Sequence, residues 1–218
     1  AYERASAEAV KAAIAGKTGR VAEVKTERKR IPPPQLYDLT ALQRDANTRL
    51  DFSAERTLKA AQNLYEKSKL ITYPRTDSRV LPNDMASKVS SALSAVPAPL
   101  KPFAQAVLEK PLAHTKRIYD DAKVTDHHAI IPTGHTLPPL SGDEAAIYDL
   151  VCRRLIAVHM ADSVQDNTKV RTRVEGYDFL STGTTPINEG WRALYREAPK
   201  DAQNLPPLRE GDERTVRG

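Results

Sequence analysis

The sequence predicts an α+β multidomain chain in which a β-rich domain is interrupted by an inserted, mainly helical domain. Three observations carry that expectation. Strand-like alternation lies toward the two ends of the 218 residues, over 19–31 and again from 168. Between these stretches, apolar residues recur at helical spacing. The triplet Pro32–Pro33–Pro34 separates the first strand from the helices, because successive prolines remove backbone donors and stop regular structure. The expected division is 1–35 for an N-terminal helix and the first β-rich part, 36–163 for the helical domain, and 164–218 for the second β-rich part.

Taken in order, residues 2–15 are good helix formers and Gly16 follows as a C-terminal cap. Gly19 to Ile31 reads as an extended strand ending in the basic cluster Arg28–Lys29–Arg30. Ser53 caps a helix that places Leu58, Ala61, Leu64 and Tyr65 on one face. Asn83 caps another, with Met85, Val89, Leu93 and Val96 as its apolar stripe. Pro97, Pro99 and Pro102 then break the chain before a short helix around Phe103–Leu108. Ser141 and Glu144 form a capping-box pattern at the head of a helix over 142–160. Its buried face is Ile147, Leu150, Val151, Leu155 and Val158.

After Ser163 the period changes. Val170, Thr172 and Val174 alternate with Lys169, Arg171 and Arg173, which predicts a half-buried strand with a basic open face. Strand-like segments return at Tyr177–Ser181 and around Trp191–Tyr195, and the tail from Lys200 reads as a loop or strand cut short.

Composition narrows the class. With 40% hydrophobic and 28% charged residues, the chain matches a soluble globular protein. No run approaches the roughly 18 apolar residues of a membrane helix, so no membrane partner is expected. The charged start AYERASAEAVKAA does not read as a secretory signal. A chain running from Ala1 to Gly218 without an initial Met reads as an excised piece. The single Cys152 excludes an internal disulfide, fits a reducing, cytoplasmic compartment, and lies in an apolar helical run as a buried structural thiol. The 33 Lys and Arg against 28 Asp and Glu leave a net charge of +5, which permits a polyanionic partner without requiring one.

The segment Leu70–Leu81, LITYPRTDSRVL, is the most informative. Leu70 and Ile71 form a short apolar run that delivers Tyr73 into a turn stiffened by Pro74, with Arg75 and Arg79 close by. One reading is a packed tyrosine with a polar tip. Another is a nucleophile. A phenol of pKa about 10 needs help at neutral pH, and a nearby guanidinium holds a phosphodiester oxygen or stabilises the phenolate. Attack by tyrosine on a phosphodiester exchanges one ester for another, so the break is resealed without a nucleotide cofactor.

LITYPRTDSRVL resembles the active-site segment of type IA DNA topoisomerases, in particular the bacterial topoisomerase III branch. The likeness continues in order: Arg30–Asn47 (RIPPPQLYDLTALQRDAN) is similar to the entry into the tyrosine-bearing domain, Asp126–Thr133 (DHHAIIPT) to the histidine motif, and Pro186–Tyr195 (PINEGWRALY) to the return into a β-rich arch. The resemblance implies a β-rich arch domain interrupted by the helical domain that carries the active-site tyrosine. It implies Tyr73 as the nucleophile that becomes joined to a 5′ phosphate of single-stranded DNA. Arg75 matches the arginine on the scissile phosphate, and His127 the active-site histidine. His128 stands where the family often has an acid. Adjacent histidines point apart in regular structure, so a two-histidine metal site is not expected. Thr40 and Gln43 lie in a segment near the family's DNA path, and Arg79 and His128 are further DNA-binding candidates.

Lys169, Arg171 and Arg173, like Arg28–Lys29–Arg30, are candidate phosphate contacts or solvated strand faces. Gly16–Lys17–Thr18 lacks the earlier glycine of a phosphate loop. Asp120, Asp121 and Asp126 do not form the family's alternating acid triad, and no Asp-x-Asp-x-Glu occurs. The resemblance therefore places the Mg²⁺ ligands of the full-length enzyme in a Toprim domain outside this chain, with no metal expected on these residues. The piece alone is expected to be inactive, with single-stranded DNA and the Toprim domain as its partners. A non-catalytic single-stranded DNA-binding module on the same scaffold is the alternative. A recombinase or relaxase fits poorly, because neither the dispersed Arg/His constellation nor a three-histidine cluster is visible.

Overall fold

The computed structural model describes residues 4–136, 138–195 and 205–217. These fall into two compact units: 4–31, 162–190 and 205–217 in one, and 32–136, 138–161 and 191–195 in the other. The chain is α+β, with helices and one antiparallel sheet.

The first unit begins with helix α1 (Arg4–Ile14), which ends where Gly16 takes φ 71°, a left-handed value that a residue without Cβ adopts readily. Strand β1 (Thr18–Ile31) follows. It pairs antiparallel with β2 (Ser163–Val174) along nearly its whole length, with a bulge between Val21 and Glu23. Strand β3 (Tyr177–Asn188) returns along β2, and β4 (Glu213–Thr215) pairs with the start of β1, giving the order β3-β2-β1-β4. Glu175 and Gly176 close the β2–β3 hairpin with positive φ at both positions, which matches the twist of the flanking strands. Pro186 is tolerated because β3 is an edge strand. Both β2 and β3 run longer than their predicted segments. The predicted alternation appears as buried Val170 and Val174, with Thr172 half-buried.

The second unit is built on helices α2 (Leu39–Leu50), α3 (Ala54–Glu66), α4 (Ala86–Ser94), α5 (Lys101–Leu108) and α6 (Gly142–Ala157). α2 has no counterpart among the individually predicted helices. Its head is set by Asp38, whose carboxylate accepts from the Ala41 amide at 2.5 Å. Ser53 caps α3 as expected, accepting from Arg56. The face that α3 buries is Thr57, Ala60, Ala61 and Leu64, so Leu58 and Tyr65 flank it half-exposed. α6 carries the largest share of the core, and Ile147, Leu150, Val151, Leu155 and Val158 are all buried.

Three local expectations are corrected. Ser141 precedes α6 but its side chain caps nothing. Asn83 opens a short 3₁₀ turn rather than capping α4, and its amide is held by Asp121 instead. Trp191–Tyr195 is a 3₁₀ turn, not a strand, and belongs to the helical unit, where Leu194 is buried and Trp191 meets Tyr195 edge-on. Alternating apolar residues over so few positions do not distinguish the two conformations. Of the predicted tail, 200–204 and 218 lie outside the described residues.

Cys152 is fully buried, and burial pushes its thiol well above the ordinary range. Nearby in the core, Arg154 is 5% exposed, donates to Asp45 Oδ2 at 2.5 Å and to the Gln35 carbonyl at 2.8 Å, and lies 3.8 Å from the Tyr37 ring centroid. The Tyr37 hydroxyl donates to the same Asp45 oxygen at 2.6 Å. This knot ties α2, α6 and the chain leading out of the proline triplet.

Candidate active site

Helix α3 ends in a turn in which Lys67 and Ser68 donate to the Asn63 carbonyl, Lys69 takes φ 55°, and Leu70 donates to Leu64. That left-handed Lys69 reverses the chain and buries Leu70 and Ile71. Ile71 forms an antiparallel bridge with Pro132, so the segment holding Tyr73 runs beside the segment 126–133.

Two threonines rivet these segments together. Thr72 donates from its backbone amide to the Ile131 carbonyl at 3.0 Å, and its hydroxyl donates to Ala129 O and accepts from Ile131 N, both at 3.0 Å. Buried Thr76 donates from its hydroxyl to the His127 carbonyl at 3.0 Å and accepts from the Ser78 amide at 3.1 Å. The Thr76 carbonyl accepts from Leu39 N at 3.0 Å, which joins the same loop to the start of α2.

The outcome is an aromatic arrangement around Tyr73. Its half-buried ring lies 4.2 Å from the His127 ring, centroid to centroid and tilted by 43°, and 5.4 Å from the Tyr65 ring in edge-to-face geometry at 76°. Among the described residues, no hydrogen bond occupies the Tyr73 hydroxyl. Arg75 is exposed and makes no ion pair among the described residues. A free phenol and a free guanidinium two positions apart can engage one phosphodiester group, the phenol at phosphorus and the guanidinium at the non-bridging oxygens.

The other candidates are placed differently. Half-buried Arg79 turns inward, donating to Leu36 O at 3.3 Å and lying 3.9 Å from Asp38. His127 is exposed, whereas half-buried His128 has Nδ1 2.8 Å from the Ala129 carbonyl. Thr40 is exposed in the first turn of α2. Gln43 commits its amide to the Ala54 carbonyl at 3.1 Å, bracing the α2–α3 turn, and no described contact joins it to Tyr73.

Lys169, Arg171 and Arg173 lie in the sheet unit, on a face that carries its own counter-ions. Arg173 is bidentate to Asp178 at 2.9 Å and Arg171 reaches Glu23 and Asp178, while on the opposite face of the sheet Arg28 is bidentate to Asp166. Arg28 holds the Asp166 carboxyl below its usual range, as Arg173 does that of Asp178. Exposed Lys169 makes no ion pair among the described residues.

Tyr65, Thr72, Thr76 and Asp77, which accepts from Thr125 at 2.9 Å, were not singled out from sequence. The signal was partly present, since three of them lie within the LITYPRTDSRVL string; their partners, however, come from residues 125–131. Among the described residues, no three His, Cys, Asp or Glu side chains converge as a metal site, so the groups around Tyr73 do not fit a divalent cation.

The helical unit that carries this tyrosine is inserted in the sequence between the strands of the sheet unit. The family model described as DNA topoisomerase matches residues 1–218, and the chain belongs to that family, in its type IA division. Within it, the particular likeness is to bacterial DNA topoisomerase 3. The protein of that name from Bacillus licheniformis is 42% identical over 216 residues, covering 94% of this chain and 29% of the relative. That from Bacillus subtilis has the same identity and coverage, and that from Bacillus cereus is 39% identical over 208 residues. The chain thus spans about 29% of the length of these relatives. Among solved structures, full-length topoisomerase I from Thermotoga maritima shares the fold with a TM-score of 0.69 at 24% identity, covering 95% of this chain and 34% of that one.

Proposed function

We propose that this chain supplies the tyrosine half of an enzyme that cleaves and rejoins single-stranded DNA through a 5′-phosphotyrosine intermediate, changing DNA topology without ATP. The observation that carries the reading is the packing of Tyr73 against His127, two residues far apart in sequence, with the Tyr73 hydroxyl left free. The Tyr73 oxygen attacks phosphorus, a tyrosyl–phosphorus bond forms, and the bond from phosphorus to the 3′ oxygen of the neighbouring nucleotide breaks. The phenol's proton is transferred in net terms to the departing 3′ oxygen. Reversal reseals the strand, and since one phosphoester replaces another no external energy source enters.

In this reading Arg75 holds the non-bridging oxygens of the scissile phosphate, and His127 orients the tyrosine or contacts the phosphate. Thr40, Gln43, Arg79 and His128, with Lys169, Arg171 and Arg173, are assigned to the DNA path. Gln43 and Arg79 act there through the backbone they brace. The proposed domains are 1–35 and 164–218 as two parts of a β-rich arch, with the 191–195 turn packed in the helical unit, and 36–163 as the tyrosine domain. Mg²⁺ and its acidic ligands are assigned to a Toprim domain of the parent, so no step is routed through a metal here. No described helix is long and apolar enough to cross a membrane; the reading assigns the action on DNA to the cytoplasm.

The test mixes the chain with a separately made Toprim domain and a 3′-end-labelled single-stranded oligonucleotide. Covalent adducts that vanish in Tyr73→Phe are expected, with no relaxation of supercoiled DNA by the chain alone. Tight DNA binding without any adduct, in the mixture and in the full-length protein alike, would favour the non-catalytic binding module.

A further inference from the structure

The geometry points to Tyr65 as a positioning residue for Tyr73, an inference that rests on the nucleophilic reading above. A nucleophile whose hydroxyl must remain free cannot be oriented through that hydroxyl; its ring has to be held instead. The described structure offers two ring contacts for Tyr73, the tilted His127 at 4.2 Å and the edge-to-face Tyr65 at 5.4 Å. The two are not equivalent. His127 is exposed, on the segment where a DNA phosphate would arrive, whereas Tyr65 is half-buried and packed on the core from the last turn of α3. Of the two, Tyr65 is the one fixed to rigid structure before any substrate binds.

Its placement is locked from both ends. The turn after α3 holds Leu70 N on Leu64 O at 2.8 Å, and Thr133 donates to the Lys69 carbonyl at 2.7 Å, which sets the step from Tyr65 to Tyr73. The Lys69 ammonium lies 5.6 Å from the Tyr65 ring centroid, within reach of a cation–π contact. Edge-to-face pairs prefer this separation and tilt, so swinging of the Tyr73 ring about its Cα–Cβ bond, the motion that would carry the hydroxyl away, is opposed. Because small errors in the aim of an attacking atom are amplified in rate, the contact acts on the chemical step and not on DNA affinity.

The experiment uses the full-length protein that contains this chain and the 3′-labelled oligonucleotide. At saturating DNA, Tyr65→Leu, which keeps apolar bulk but loses the ring, is expected to slow adduct formation about 2- to 10-fold with the apparent Kd unchanged. Tyr65→Phe keeps the ring and is expected to stay within about twofold of wild type. On the chain itself, ¹³C-labelled tyrosine NMR is expected to show averaging of the Tyr73 side-chain rotamer about Cα–Cβ in Tyr65→Leu. Lys69→Met, at an exposed site, is expected to change the Tyr65 and Tyr73 resonances even if Tyr65→Leu folds poorly. Wild-type rates and wild-type rotamer averaging in Tyr65→Leu, or a loss confined to Kd, overturn the assignment; so does a Lys69→Met spectrum with both rings unmoved. Adducts that persist in Tyr73→Phe would instead overturn the nucleophilic reading, whatever Tyr65 does.

Discussion

Thr76→Val removes one hydroxyl and nothing else of comparable size, yet that hydroxyl both donates to His127 O and accepts from Ser78 N. The two losses differ. His127 is exposed, so water can reach its freed carbonyl, and that bond is worth about 0.5–1 kcal/mol net. Ser78 is 5% exposed, so its amide loses its partner without access to solvent, at about 1–2 kcal/mol. The sum is about 2 kcal/mol, or roughly a 4–8 °C fall in Tm for a unit of this size. Thr76→Ser keeps the hydroxyl, loses a methyl, and should recover most of it. Urea and thermal unfolding of the three proteins by circular dichroism measure this, and tyrosine and histidine ring resonances follow the site. If Thr76→Val unfolds within about 0.5 kcal/mol of wild type and leaves the Tyr73 and His127 resonances in place, Thr76 does not rivet the two segments.

Two further perturbations test the same unit. Asp45→Ala strands the buried Arg154 guanidinium and removes the acceptor of Tyr37, so a loss of about 3–5 kcal/mol is expected in chemical denaturation, and a loss below about 1 kcal/mol would contradict the buried ion pair. His159 has both ring nitrogens buried without partners, and burial lowers its pKa to about 4. In the unfolded chain it titrates near the ordinary 6.5, so between those values only the unfolded state takes up the proton and stability falls as pH drops from about 6.5 toward 4. The contribution is on the order of 2–4 kcal/mol, and His159→Gln should flatten this part of the stability–pH curve, whereas an unchanged slope would refute the assignment.

Much of the candidate site was legible because it is carried by local strings. Tyr73, Pro74 and Arg75 are consecutive, and the histidine motif stands out by its residue types alone. The strands were legible through their alternation, as was α3 through Ser53. What was not legible depended on partners distant in the chain. Asn83 has the side chain of a helix cap, but Asp121 offers it a charged acceptor and wins. Trp191–Tyr195 has strand-like composition, yet burial of Leu194 and the Trp191–Tyr195 ring contact favour a 3₁₀ turn on the helical core. Arg79, Arg28 and the basic strand face read as candidate DNA contacts or solvated charges, whereas Asp38 partly neutralises Arg79, Asp166 Arg28, and Glu23 and Asp178 the strand face.

By itself, then, the sequence determined the α+β class and the type IA likeness and singled out the residues proposed to bear the chemistry, because motif order and hydrophobic period are properties of the linear chain. Tertiary structure decided which of those groups remain free to react. Thr72 and Thr76 bring the tyrosine and histidine segments side by side, Tyr65 meets the Tyr73 ring, and among the described residues the Tyr73 hydroxyl and Arg75 guanidinium are left unpaired. That selection follows from hydrogen-bond and ring geometry across long sequence separations, which no local pattern encodes.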